Sequence, residues 1–534
     1  MKRIALLSTI AVATAGMLAA LAPAAEAQTP RSGGTMRMTA PYASSFGSLD
    51  PHASGRAQDG VVFLALHRQL YRWDSAKGLP VPELITEAKS SAGGTVWTFT
   101  LRQDAYFHNG RKMNADDVVY SFTRLMDPKK GFVGARWVRL IKGAVDVEKG
   151  AAQAISGIRK VDDFTVEITF LQKVEPGYLF YNMTTSILAK EEAEKADWPN
   201  NPVGLGPFKF KEHVPGSRLV TEKWEKFYQP GKPYLDTYVI QIMSEAAARD
   251  IAFRNKEVDA SILGPVQYVA YGRDPQLSKH LLEVAEVFTR SMVMHNEKKP
   301  FDDKRVRQAI NHAINAKLII ERLARNKAYP ATSWLPTTVP GYDPALQSYA
   351  YDPAKAKKLL AEAGYPNGFE FEWTTSQNES WGLPIVEAVI PMLKQVGITV
   401  KPKVVEVTVL TDIAQKGEFQ AYIGSSQTGP DPLQTLRCFH SATPRTSCNV
   451  SGYKNADYDK LLDEAGTTED PARKLELIKQ ANAHLYDAAP VWFFNYNKAV
   501  LAYQPWVHGL QANPTELMHQ YPEDIWVDAS SPAK

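Results

Sequence analysis

The stretch TVWTFTLRQDAYFHNGRKMNADDVVYSFTRLMDP, Thr95–Pro128, reads as a strand, a turn and a helix in succession. Trp97, Phe99 and Leu101 alternate with polar residues, the period of a strand with one buried face. His108-Asn109-Gly110 is turn chemistry, since Asn and Gly tolerate left-handed backbone. Asn114 followed by Asp117 has the spacing of a capping box, which satisfies the free N–H groups at a helix start. Val118, Phe122 and Leu125 then fall on one helical face. His108, Asp116 and Asp117 offer an acid and a base on paper. Aromatic core, turn and cap account for the same residues without chemistry.

Working outward, strand-like and helix-like patterns alternate along the whole chain, with no short repeat and no low-complexity block. The class is mixed α/β. Several helix starts are explicit. In YDPAKAKKLLAEAGYP, Asp352 is an N-cap, Pro353 fits the first helical position, and Gly364 with Pro366 stops the helix. EDPARKLELIKQANAHLYDAAP repeats the start at Asp470-Pro471. FDDKRVRQAINHAINAKLIIERLA reads as one helix, with Val306, Ile310, Ala313 and Leu323 near one face. Asp302 and Asp303 lie at its positive end.

The chain begins with a basic pair, Lys2-Arg3, an apolar run Ile4–Leu21 and the small-x-small site Ala25-Glu26-Ala27. This is a signal peptide over residues 1–27, with the mature chain starting near Gln28. No cysteine follows the apolar run, so no lipid anchor is expected. The formal net charge is +3 for 534 residues. It falls to +2 when Lys2, Arg3 and Glu26 leave. Such a balance argues against a nucleic-acid partner, which requires a basic face. The length calls for two or three domains. Cys438 and Cys448 are the two cysteines. In an exported chain the close pair reads as a disulfide. A metal site is the weaker reading, because zinc takes more ligands than two thiols. The sequence has no nucleophile elbow, H-E-x-x-H, C-x-x-C or Walker loop. Gly204 and Gly206 in VGLGPFKF lack a third glycine at the right spacing. No catalytic residue, metal or cofactor is therefore expected.

Taken together, SLDP (Ser48–Pro51), WTFTLRQDAYFHNGRKMNADDVVYSF (Trp97–Phe122), NPVGLGPFKF (Asn201–Phe210), FDDKRVRQAINHAIN (Phe301–Asn315), YDPAKAKKLLAEAGYP (Tyr351–Pro366) and GYKNADYDKLLDEA (Gly452–Ala465) resemble, in this order, the bacterial family 5 extracytoplasmic solute-binding proteins. These are the peptide, dipeptide and nickel receptors of ABC importers. The resemblance implies a two-lobed periplasmic binding protein of the cluster C type, with three domains and a ligand cleft between lobes. Domain I would comprise 28–76, 196–290 and 506–534; domain II, 77–195; domain III, 291–505. It also implies a monomeric, non-enzymatic receptor in a Gram-negative periplasm. Its partners would be a peptide-like or other polar small ligand and an inner-membrane ABC permease.

In this family the stretch matching IGSSQTGPDP, Ile423–Pro432, lines the cleft, where backbone groups pair with an extended ligand. Peptide-binding members resemble G-W-x-A-D-Y-x-D-P there, with an Asp for the ligand's α-ammonium. Aligned on the final Asp-Pro, the pattern falls on Gly424, Ser425, Ser426, Gln427, Thr428, Gly429 and Pro430. Ser425 replaces the tryptophan, Thr428 the ammonium-binding Asp and Gly429 the aromatic, while Asp431 keeps a structural place. The family's carboxylate-binding arginine falls near Ser376. These departures disfavour peptides with a free N-terminus. They favour a blocked, neutral or anionic ligand: a modified peptide, an opine, an oligosaccharide or, less in keeping, a metal chelate. A hydrolase is the rival of a different class. Tyr42, Phe46 and Trp381 are further cleft candidates, and Arg437 and His440 offer positive charge beside the cysteines.

Overall fold

The computed structural model describes residues 29–533, apart from 42–44, 378–381, 428 and 447. The signal peptide expected over 1–27 lies outside the described residues.

An 11-stranded mixed sheet runs through the molecule. Its two longest strands, Leu281–Met294 and Val491–Tyr503, lie antiparallel side by side. The lobe-to-lobe crossings expected near 290 and 505 fall within the first of these strands and just past the end of the second. At one end of the pair, Ala260–Ile262 joins Val491–Tyr503. Beyond it come Thr35–Ala40, Thr237–Ile242, Arg218–Lys223 and Phe208–Val214. At the other end, Ala421–Gln427 joins Leu281–Met294. Glu370–Thr375 and Thr399–Val404 follow in parallel, the former pairing with Ala421–Gln427 and the latter with Glu370–Thr375. Midway, the register slips: Ala285 faces Lys498, yet Thr289 faces Tyr496. Residues 286–288 thus oppose Asn497 alone, a bulge that bends the sheet where the chain passes between lobes.

The second lobe packs helices on both faces of its sheet. Alternation along the crossing strand sorts the side chains. Trp492 and Phe494 join a core with the helices Lys304–Ala313, Pro353–Glu362 and Leu383–Gln395. Val491 and Phe493 join another with the helices Pro432–Arg437, Ala456–Thr467 and Pro471–Ala488. Cys438 and Cys448 form a disulfide, with Cα atoms 5.0 Å apart.

In the first lobe, Val96–Leu101 lies in a four-stranded antiparallel sheet. Phe99 and Leu101 are buried under the helix Ala115–Leu125, whose Val118, Phe122 and Leu125 share the same core. The capping box at Asn114 and Asp117 forms as expected. His108 is a strut. Its Nε2 donates to the Gly206 carbonyl at 3.0 Å and its Nδ1 accepts from Gly204 N–H at 3.2 Å. Burial holds its pKa down at about 4, so it stays neutral. A Cβ on Gly204 or Gly206 would overlap the carbonyls of Leu66 and Ala65. VGLGPF is therefore a close-approach motif rather than a phosphate loop. Asp50 of SLDP pairs with Arg124 at 2.6 Å, fastening the N-terminal segment to that helix.

The helix starts at Asp303, Asp352 and Asp470 are N-caps. One helix expected from the sequence is two. Lys304–Ala313 ends at extended Ile314, and Asn315 caps a new helix, Ala316–Arg322, by accepting from Leu318 N–H at 3.0 Å. Leu323 consequently leaves the face of Val306 and Ile310, and is 42% exposed.

Candidate ligand cleft

A cavity of about 840 Å³ opens between the lobes at the bulge. Its size falls within the range of small-molecule sites. The first lobe contributes Trp73, Arg136, Tyr181, Asn182, Arg249 and the segment 262–266. The second contributes Arg325, Lys327, Ile385, Phe494 and Asn495, and Arg290 stands at the crossing. Glu286 and Phe288, from the bulge, and Glu516, His519 and Tyr521, from the C-terminal segment, add to the wall.

Glu286 ties the crossing together. It is 3% exposed. One oxygen accepts from Leu517 N–H at 2.8 Å and the other from the Asn497 amide. Its carboxyl also hydrogen-bonds to that of Glu516. Burial raises the pKa of both groups, and the Glu286 charge raises that of Glu516 further. Glu286 already accepts two N–H groups, so it is the carboxylate of the pair and Glu516 holds the proton. Lys327 reaches the same spot, its ammonium donating to the Lys498 carbonyl at 2.8 Å. Burial lowers its pKa to about 8, an effect that Glu286 partly offsets. The left-handed residues Arg325 and Asn326 end the helix before it and set Lys327 on the wall.

The rest of the lining mixes cationic, aromatic and amide side chains with aliphatic ones such as Leu64, Ile262, Leu263 and Leu323. Arg136 lies over the Trp137 ring at 4.7 Å, and burial lowers its pKa. No carboxylate pairs with it among the described residues. Arg249 donates to the carbonyls of Met243 and Ser244. His519 is held neutral by burial, with a pKa of about 4, and hydrogen-bonds the Ala57 carbonyl. Trp73 is 1% exposed, and its Nε1 has no hydrogen-bond partner among the described residues.

The sequence candidates fall in several places. The strand carrying Gly424, Ser425, Ser426 and Gln427 pairs through Ser291, Arg290, Thr289 and Phe288 with the crossing strand. Its other edge pairs with Glu370–Thr375 at Ala421 and Tyr422. Beyond Tyr422 that edge has no strand partner among the described residues. The side chains of Ser425, Ser426 and Gln427 lie outside the described ones, as do Tyr42, Trp381 and Thr428 altogether. Ser376 is buried at the end of the neighbouring strand, and its carbonyl accepts from Leu383 N–H at 2.8 Å. Phe46 packs against the His213 ring in the first lobe. Arg437 and His440 turn to the helix Ala456–Thr467. Arg437 donates to the Leu462 carbonyl at 3.1 Å, and His440 Nε2 lies 3.3 Å from Asp463. Neither lines the cavity. Asp431 caps the helix Pro432–Arg437, accepting from Leu433 N–H at 2.9 Å and Gln434 N–H at 3.3 Å.

Sequence reasoning missed Arg136, Glu286, Arg290, Lys327 and Glu516. They stand on separate segments and belong to no motif. The topology brings them together.

Residues 80–447 match the family model for bacterial extracellular solute-binding proteins, family 5, middle part. The chain belongs to this family. Among curated relatives of this family 5 protein, heme-binding protein A of Haemophilus influenzae is 30% identical over 440 residues, 77% of each chain. The dipeptide-binding protein of Escherichia coli K12 is 28% identical over 82% of this chain and 85% of its own. Among solved structures, the PBP AgaA from A.tumefacien R10 in complex with agropinic acid superposes with a TM-score of 0.74 at 25% identity. It covers 93% of this chain and 99% of that one. The two-lobed family 5 fold is thereby shown for this chain. Among the described residues no group of three metal-ligating side chains occurs, and no helix is long and apolar enough to cross a membrane.

Proposed function

We propose that this chain is the substrate-binding protein of an ABC importer, a monomer exported to a Gram-negative periplasm by residues 1–27. It takes up a peptide-like or other polar small solute between its lobes and delivers it to an inner-membrane permease. Domain I would comprise 28–76, 196–290 and 506–534, domain II 77–195 and domain III 291–505. The observation that carries the reading is the inter-lobe cavity at the hinge bulge; the neighbouring strand Ala421–Gln427, whose outer edge has no strand partner beyond Tyr422 among the described residues, adds a place for an extended ligand. An extended ligand adds to such an edge through its own backbone, which gives affinity with little side-chain selectivity. Closure of both lobes on the solute makes the closed form the species a permease recognises.

The solute lacks a free α-ammonium. An ammonium taken from water needs a carboxylate partner. Asp431 is engaged as a helix cap, and Glu286 and Glu516 are engaged with each other. The agropinic acid complex of a relative favours an opine-like solute as the second reading. The test is thermal unfolding of the mature protein with pooled di- to tetrapeptides, free and N-acetylated. A shift with acetylated pools is expected. A shift confined to free pools, and abolished by Asp431→Asn, would reverse the assignment of the ammonium.

A further inference from the structure

Charge is unevenly distributed around the cavity. Among the described residues, Arg136, Arg325 and Lys327 line it against two carboxyl groups, Glu286 and Glu516, while Arg249 and Arg290, also in the lining, have interactions of their own. Those two are hydrogen-bonded to each other, so together they supply about one negative charge. The cations stand on opposite lobes: Arg136 on the first, Arg325 and Lys327 on the second. Closure brings like charges toward one another in a space that excludes water, where their repulsion grows.

We infer that the solute is an organic anion carrying two or more carboxylates, held between Arg136 on one lobe and Lys327 on the other. This rests on the receptor reading and adds the ligand class to it. The anion cancels the repulsion across the cleft, so binding and closure are one event. Arg136 suits the role because no carboxylate competes for its guanidinium among the described residues. The rings of Trp73, Tyr181, Phe288 and Phe494 line the same space and suit an apolar connecting part of the solute.

The experiment compares three pools of N-acetylated di- to tetrapeptides matched in size: acidic (Asp/Glu), amide (Asn/Gln) and basic (Lys). Thermal unfolding and calorimetric titration are run at low and high salt. The proteins are wild type, Arg136→Gln and, as a surface control, Arg218→Gln, whose partner is Glu212 on a neighbouring strand. The acidic pool is expected to bind most tightly and to weaken with salt. Its affinity should fall about tenfold or more in Arg136→Gln, the loss of one charge-assisted contact, and stay unchanged in Arg218→Gln. Equal or tighter binding of the amide or basic pool overturns the anion inference and leaves the receptor reading intact. An acidic response indifferent to both salt and Arg136→Gln also overturns it. Silence from all three pools, and from free peptides, overturns the anion inference together with the peptide-like reading and leaves the opine-like one.

Discussion

The carboxyl pair at the hinge makes an asymmetric prediction. Glu286→Gln and Glu516→Gln are the same chemical change, one hydrogen bond apart, yet their costs differ. Glu286 accepts from Leu517 N–H and from the Asn497 amide while meeting Glu516. A glutamine there must turn its NH₂ toward a donor. One charge-assisted hydrogen bond is lost and the other becomes neutral, a cost of about 3 kcal/mol. For a chain of roughly 500 residues, that lowers the unfolding midpoint by about 3 °C. Glu516 already acts as a neutral donor, and glutamine keeps a donor in place. At pH 5 its replacement should change stability by less than about 0.5 kcal/mol. The sign of the pH dependence follows from linkage. The folded pKa of Glu516 is raised well above 4.5 by burial and by Glu286. Its contribution to stability is intact below pH 4.5 and is lost as pH climbs through the folded value. Glutamine does not titrate, so Glu516→Gln should gain on the wild type between pH 5 and pH 8. Urea unfolding at the two pH values measures both effects. Equal costs for the two substitutions at pH 5, or a gap that does not move with pH, would refute the assignment of the shared proton.

Three further outcomes are expected. An anionic ligand raises the pKa of Lys327, which stands near 8. Binding at pH 8 should therefore take up roughly half a proton, seen by calorimetry in buffers of different ionisation enthalpy and absent in Lys327→Met. Lys173 and Glu469 pair between the lobes at 2.5 Å, with Glu469 84% exposed. Removing either should weaken ligand binding by no more than about fivefold, because exposed pairs contribute little; titration of Lys173→Ala measures it. Replacing Cys438 and Cys448 by serine opens a loop of sequence separation 10. It should lower stability by about 2–3 kcal/mol through loop entropy, read by urea unfolding, with ligand affinity kept because neither residue lines the cavity.

The fold was legible where local chemistry and packing agree. Asn114, Asp352 and Asp470 are caps by residue type and stay caps in three dimensions, and Asp303, read only as a charge at the helix's positive end, is a cap as well. Phe99 and Leu101 alternate because one face of their sheet is buried. The expected single helix over 304–323 failed for a physical reason. Apolar periodicity continues through Ile314, but Asn315 offers a side-chain acceptor that restarts the helix in a new direction. That break lets the turn at Arg325 and Asn326 deliver Lys327 to the hinge.

The site was legible as a loop and illegible as a cavity, and the reason is contact distance along the chain. Gly424 and its neighbours are contiguous, so a pattern can place them. Glu286 meets its partner Leu517 across 231 residues of sequence. Arg136 sits in a short 3₁₀ turn, Val133–Trp137, that no periodicity marks. Each is an ordinary charged residue where it stands. What sets them apart is the absence of an adequate local counter-charge, which exists only once two crossing strands and the C-terminal segment converge. The ligand's charge is thus specified by the fold's topology more than by the loop that the family pattern points to. A substitution at Arg136 or Lys327 should change which solutes bind while leaving the Ile423–Gln427 edge able to hold a backbone.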